Sequence, residues 1–314
     1  MSTTLSAGPT WAPHEITAAA TGSRDLAAHL TELGADRLTD LLTRHKALVF
    51  RDFGVGPDAV EPVLDQLLPS RLPYVHGNSP RTRVRGNLYT STEYPQRLTI
   101  SMHNELNYAR KWPTRLAFYC EKAAESGGAT PVVDGELWLN SLDAEIREAF
   151  AGGIRYVQNL HDGYGLGKSW QDTFETDDRA EVERFLTASE AEWEWGPDGI
   201  RVVQHRAATT THPVTGAEVW FNQADQWHPA GLGDETSREL YDILEPEEFP
   251  QYVTFADGTP IPDGYITQIR DRGLELAVDV DWRFGDVLVI DNVLTGHGRR
   301  PFEGTRRILV AMTD

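Results

Sequence analysis

Thiol chemistry is almost missing from these 314 residues, in which Cys120 is the only cysteine. A lone thiol excludes an intrachain disulfide framework and fits a reducing compartment, so a cytoplasmic location is expected and Cys120 is expected to pack rather than react. Long hydrophobic runs are missing too. No apolar stretch approaches the roughly 20 residues of a membrane helix, and Met1 is not followed by the basic and apolar segments of a signal peptide. Basic charge is scarce: 29 lysines and arginines against 48 acidic residues leave a net charge of −19. That balance repels nucleic acid and anionic membrane surfaces, so neither is expected as a partner. The acids are dispersed, as in Asp177-Asp178-Arg179-Ala180-Glu181 and Glu245-Pro246-Glu247-Glu248, which reads as a solvated surface. No internal repeat and no low-complexity linker interrupts the chain.

Present instead are many short apolar segments separated by turn formers. Residues 1–23 mix Pro, Ser, Thr and Gly with little periodicity and are expected to form an N-terminal arm, with 24–314 as a single domain. Leu26, Leu30 and Leu33, then Leu38, Leu41 and Leu42, recur at helical spacing before the strand-like Ala47-Leu48-Val49-Phe50. A further amphipathic helix follows Pro57, and a polar connection runs on to Arg97. Strands are expected at 98–102, 115–120, 200–204, 208–211, 219–222, 287–290 and 307–312, and helices at 136–150, 179–188 and 266–276. The glycines of Asp162–Gly167 lack the strand-then-helix setting of a dinucleotide fingerprint and predict a surface loop or lid. The whole pattern predicts a mainly β fold with helical decoration, a double-stranded β-helix (jelly-roll) barrel rather than a doubly wound sheet.

Into that pattern falls His103-Asn104-Glu105, followed much later by His297. Alternate strand residues share a face, so His103 and Glu105 can aim at one point while Asn104 turns away. A second strand must deliver His297, and Val287–Ile290 with its flanking turns leads to it. Two imidazoles and one carboxylate are the ligand set of a non-haem iron(II) oxygenase, and they leave three positions of an octahedral ion open. An arginine ten residues beyond His297 can return to the same cavity, where its planar guanidinium suits a carboxylate better than lysine would.

These pieces, in this order, resemble the Fe(II)/2-oxoglutarate dioxygenases of the taurine dioxygenase (TauD/TfdA-like) family over most of the chain. Ala47–Phe53 is similar to that family's early strand and Gly127–Gly135 to the strand that contacts the co-substrate; His212–Gly216 and Arg306-Arg307-Ile308-Leu309 complete the set. The resemblance implies His103, Glu105 and His297 as iron ligands, Arg307 as the clamp on the distal carboxylate of 2-oxoglutarate, and Thr130 as its hydroxyl partner. Arg306 and Arg307 face opposite ways on a strand, so one of them points inward, and the family match selects Arg307. Fe(II), 2-oxoglutarate and O2 are thereby implied, with succinate and CO2 released. Glu105 stands where many members have aspartate, and a ligand there argues against the related halogenases. Ala311 stands where some members carry a second arginine, which argues against taurine.

The phrasing His103–Tyr108, with Trp112-Pro113 after it and Ser91-Thr92-Glu93-Tyr94 before it, is similar to a subgroup that hydroxylates amino acids, free or tethered to a carrier protein, in natural-product pathways. A small amino-acid-like substrate is therefore expected, with Asn107, Tyr108, Trp112, Asn222, Trp227 and Arg299 as candidate pocket residues; desaturation or cyclisation are alternative outcomes at the same centre. His161, His205, His212 and His228 are expected to be structural. A zinc hydrolase using the same three ligands is the competing enzyme class, and a barrel that only binds a ligand is the competing non-enzyme.

Overall fold

Apolar side chains alternate between two faces along Arg307–Thr313, and both faces are covered. Ile308, Val310 and Met312 enter one core with Phe118, Leu116, Met102, Val132 and Val280. Leu309 and Ala311 enter a second core with Leu30, Leu42, Val60, Leu64 and Leu67. A strand buried on both faces must sit centrally between two layers. The structure, a computed structural model, describes residues 11–74, 81–92, 94–232, 239, 243–245 and 248–314.

The major sheet has seven strands in the order His14–Thr17, Ala47–Arg51, Val287–Asp291, Arg115–Lys122, Arg307–Thr313, Leu88–Thr90 and Arg83–Arg85. All neighbours are antiparallel except the first pair, which is parallel. A minor antiparallel sheet runs Val278–Val280, Thr130–Asp134, Thr295–Arg299, Ile100–His103. Residues from both sheets share the first core, while helices Leu26–Leu33, Ala35–His45 and Val60–Leu67 cover the other face of the major sheet. The result is mainly β with helices, as a jelly-roll type of fold requires.

A separate four-stranded sheet, in the order Glu192–Gly196, Gly199–Arg206, Ile154–His161, Gln251–Phe255, extends the molecule. Helix Arg179–Ala188 packs its Val182 and Leu186 with Trp170 and Ile200 of that extension. Asp162–Gly167 is a surface turn there, with Tyr164 95% exposed, consistent with the loop reading.

Several sequence expectations change. His14–Thr17 is a strand of the major sheet and Ala18–Thr21 a helix capped by the Thr17 hydroxyl, so the arm expected over 1–23 is integrated from His14 onward; residues 1–10 lie outside the described residues. The helix expected over 136–150 is two, Gly135–Ser141 and Ala144–Phe150, because the Ser141 hydroxyl donates to the Trp138 carbonyl at 2.7 Å and Leu142 turns extended at φ −76°, ψ 145°. The connection before Arg97 contains the Arg83–Arg85 and Leu88–Thr90 strands. Glu93 of the Ser91–Tyr94 motif lies outside the described residues.

Candidate metal centre and its two cavities

His103 ends the Ile100–His103 strand and His297 stands directly across from it in antiparallel register, with ring centroids 4.3 Å apart. Glu105 lies just beyond the strand end, and one ligand atom from each of His103, Glu105 and His297 lies within 4.8 Å of the other two. All three are buried. The bend that turns Glu105 back is held by Asn292, whose side-chain carbonyl accepts from the Glu105 N–H at 2.8 Å while its amide donates to the carbonyls of Glu105 at 3.0 Å and Pro113 at 2.8 Å. Asn104 faces away, as expected, and donates to the Asn292 carbonyl at 2.7 Å. Leu106 completes the bend at φ 55°.

The donor set fits a divalent transition metal. Burial first, and for His297 then the proximity of His103 and Arg81, lowers both imidazole pKa values below the ordinary histidine range, so both rings are neutral lone-pair donors at neutral pH. His103 Nδ1 lies 3.0 Å from the Ser101 carbonyl and 3.0 Å from Gln226 Nε2, which itself donates to that carbonyl at 3.0 Å, so these contacts fall on Nδ1 and leave Nε2 free for a ligand bond. Such support fixes ring orientation and tautomer. Glu105 Oε2 lies 3.7 Å from His297 Nε2 and accepts from Arg81 Nη2 at 2.6 Å, which leaves Oε1 available.

Two cavities meet at the triad. The smaller, about 30 Å³, is lined by Arg81, Ser91, Thr130, His297, Arg299 and Arg306 among others, with His103 at its edge. The larger, about 240 Å³, also reaches His103 and is lined by Tyr74, Tyr94, Tyr108, Gln223, Gln226 and Gln251 among others, with Glu105 the one charged wall residue among the described residues. A metal held by the triad would thus face a small cationic space and a larger space of phenols and amides.

Within the small cavity the structure reverses one sequence assignment. Arg307 is half-exposed and pairs with Glu121, whereas Arg306 points inward. Its Nε donates to the Gly128 carbonyl at 2.8 Å, Nη1 to the Ser91 hydroxyl at 3.2 Å and Nη2 to the Thr130 hydroxyl at 3.3 Å. Ile308, Val310 and Met312 face the inner core, so strand alternation turns Arg306, two residues before Ile308, inward and Arg307 outward. By the same phase the position four residues on is Val310, not Ala311, and it too lacks a guanidinium. Burial, and then Arg299, lowers the Arg306 pKa to about 10, so it stays charged at neutral pH.

Thr130 sits where expected, its hydroxyl also accepting from Trp282 Nε1 at 3.0 Å. The preceding glycines make that approach possible. Gly127 has φ 67° and a Cβ there would stand 2.4 Å from the Pro301 carbonyl, while a Cβ on Gly128, φ 75°, would press on Arg306 Cδ at 3.1 Å.

Of the remaining candidates, Tyr108 and Trp227 line the larger cavity. Asn107 is buried beside the triad segment but is not a wall residue of either cavity. Trp112 packs against Phe221 at 4.9 Å, and Asn222 donates to the Ala208 carbonyl at 2.8 Å, so both are framework. Arg299 lines the small cavity, yet its Nη atoms donate to the carbonyls of Tyr94, Pro95 and Leu98 at 2.8, 2.7 and 2.9 Å. His212 bonds Asp291 and Thr215, and His228 bonds the Ile261 carbonyl, both as structural residues. Sequence reasoning missed Arg81, Asn292, Gln226 and the inward Arg306. Among these only Arg306 left a signal, the strand period.

The sequence profile of the Taurine catabolism dioxygenase TauD, TfdA family matches residues 12–313. The dapdiamide synthesis protein DdaC of Enterobacter agglomerans is 35% identical over 280 residues, covering 88% of this chain and 84% of DdaC. A taurine dioxygenase from Burkholderia xenovorans superposes with a TM-score of 0.54 at 15% identity, covering 98% of this chain and 88% of that one. PvcB, described as an Fe, alpha-ketoglutarate dependent oxygenase from an isonitrile synthetic pathway, superposes with a TM-score of 0.50 at 14% identity, covering 90% of this chain and 80% of its own. Among the described residues, no helix is long and apolar enough to cross a membrane.

Proposed function

From a chain that belongs to the TauD, TfdA family, and is an Fe(II)- and 2-oxoglutarate-dependent dioxygenase, we infer that it hydroxylates an unactivated C–H bond of a small amino-acid-like substrate, free or carrier-tethered. His103, Glu105 and His297 are the iron ligands in this reading, and Arg306 with Thr130 takes the distal carboxylate of 2-oxoglutarate. The iron, with 2-oxoglutarate and O2, supplies a two-electron oxidation of the substrate with release of succinate and CO2.

The observation that carries the reading is the division of space at the triad. A buried guanidinium beside a hydroxyl, in a cavity about 30 Å³ across from the histidines, matches a carboxylate far better than a neutral group. The larger cavity, about 240 Å³, has room for a second small molecule beside the same centre. Its walls orient the substrate through neutral donors and acceptors and keep bulk water from the reacting carbon. A zinc hydrolase would give Arg306 and Thr130 no task. The names of DdaC, a dapdiamide synthesis protein, and of PvcB, from an isonitrile synthetic pathway, tie both to the making of small molecules and support a small-molecule substrate.

The test is a mass-spectrometric screen of amino acids and carrier-bound aminoacyl groups with Fe(II), 2-oxoglutarate and O2. A product heavier by one oxygen, formed with one succinate, is expected. Loss of two hydrogens would replace hydroxylation with desaturation or cyclisation. Turnover with Zn(II) and without O2 would overturn the reading.

A further inference from the structure

Arg81 is the most demanding side chain near the triad. Its side chain is 3% exposed, lies over the Tyr74 ring at 4.2 Å, and gives one nitrogen, Nη2, to Glu105 Oε2 at 2.6 Å. Its Nε and Nη1 are buried with no acceptor. A buried guanidinium with idle donors is costly, and the cost persists only where the fold keeps those donors for something that arrives later.

The lining of the small cavity indicates what arrives. Among the described residues it holds three guanidiniums, Arg81, Arg299 and Arg306, and no carboxylate. Arg299 directs both Nη atoms to backbone carbonyls and keeps only Nε without an acceptor, and Arg306 directs three nitrogens to Gly128, Ser91 and Thr130. Arg81 alone of the three sits against a triad residue. A cation bound by Glu105 draws that carboxylate's charge away from Arg81 and leaves a desolvated positive group beside a positive ion. An anion entering with the metal relieves both.

We propose that Arg81 holds the 2-oxo acid end of 2-oxoglutarate, the end next to the triad, so that the dianion is gripped by a guanidinium at each terminus, Arg81 near the metal ligands and Arg306 at the distal carboxylate. The proposal rests on the functional reading above. It makes Arg81 a co-substrate residue and not merely a brace for Glu105.

Calorimetric titration of anaerobic, Mn(II)-saturated protein tests it without turnover. Arg81→Met is expected to weaken 2-oxoglutarate binding by about tenfold to a hundredfold, the range for loss of a charge-assisted bond. Pyruvate, which keeps the 2-oxo acid head and lacks the distal carboxylate, is expected to weaken by the same factor. Arg81→Lys, which keeps the charge and loses the fork, is expected to fall between, and an unchanged melting temperature in either variant secures the fold. Unaltered 2-oxoglutarate affinity at saturating metal would overturn the proposal, as would a loss seen for 2-oxoglutarate and not for pyruvate. Failure of the unsubstituted protein to bind 2-oxoglutarate with metal would instead sink the functional reading itself.

Discussion

The two spaces that meet at His103 are built from opposite chemistry. One is small and lined by Arg81, Arg299 and Arg306; the other is larger, with Tyr74, Tyr94, Tyr108 and three glutamines around Glu105. Fixed charge suits a ligand that never varies, because desolvated ion pairs reward one geometry and penalise every other. Phenols and amides suit a ligand recognised by shape and neutral hydrogen bonds, and they can be exchanged at little cost to the metal. The contrast explains how one centre can keep a constant co-substrate while the opposite wall is free to set substrate choice.

The triad spans the two spaces, with Glu105 on the larger, His297 on the smaller and His103 on both, so breaking it should be the most damaging change. Glu105→Ala or His297→Ala is expected to abolish iron binding and lower coupled succinate formation by roughly a thousandfold or more, read by metal analysis and succinate assay. Damage confined to the small cavity should follow. Arg306→Ala is expected to raise the 2-oxoglutarate KM roughly a hundredfold, whereas Arg307→Ala, on the half-exposed side, should stay within about twofold and change stability by about 0.5 kcal/mol or less. Equal effects of the two would remove the distinction drawn between them.

Behind the larger cavity, Asp225 in helix Ala224–Trp227 is fully buried, and burial pushes its carboxyl pKa up to about 6 against the opposing pull of the Ser101 hydroxyl. A folded-state value above the unfolded one means that the folded protein binds the proton more tightly, so this group's contribution to stability falls as pH rises from about 4 to about 6 and is flat above. Asp225→Asn should therefore stabilise the protein by about 1–3 kcal/mol at pH 7 and by much less near pH 4, measured by urea unfolding at both values. A pH-independent difference would reject the assignment. A change confined to the larger cavity wall, Gln251→Leu, is expected to raise the KM of the organic substrate by about threefold to tenfold while leaving the 2-oxoglutarate KM unaltered.

Much of this was legible in the residues. His103, Glu105 and His297 announce themselves by type and order, and the strands at 47–51, 115–122, 287–291 and 307–313 read as apolar runs because both faces are buried. What stayed hidden depends on long-range pairing. Ile154–His161 mixes polar and apolar residues without a clean period, Glu192–Gly196 alternates Glu-Trp-Glu-Trp over too short a run to stand alone, and both are strands through their register with Gly199–Arg206. Arg81 sits in a polar connection with no period to follow, and its role comes from contact with Glu105, 24 residues away. Asn292 and Gln226 act across 187 and 123 residues, distances over which side-chain hydrogen bonds leave no local trace. Between Arg306 and Arg307 the period was decisive, and only Ile308 in the inner core fixes its phase.

One consequence follows from the cross-strand pairing of His297 with His103. Because side chains alternate along a strand, sliding either strand by a single position would carry an imidazole to the opposite face and leave a half-built ligand set. Gly298 lets the strands meet there, since a Cβ on it would stand 2.5 Å from the Ile100 carbonyl. Iron uptake thus doubles as a gauge of correct strand alignment: a chain that has folded one notch out of step cannot load its metal.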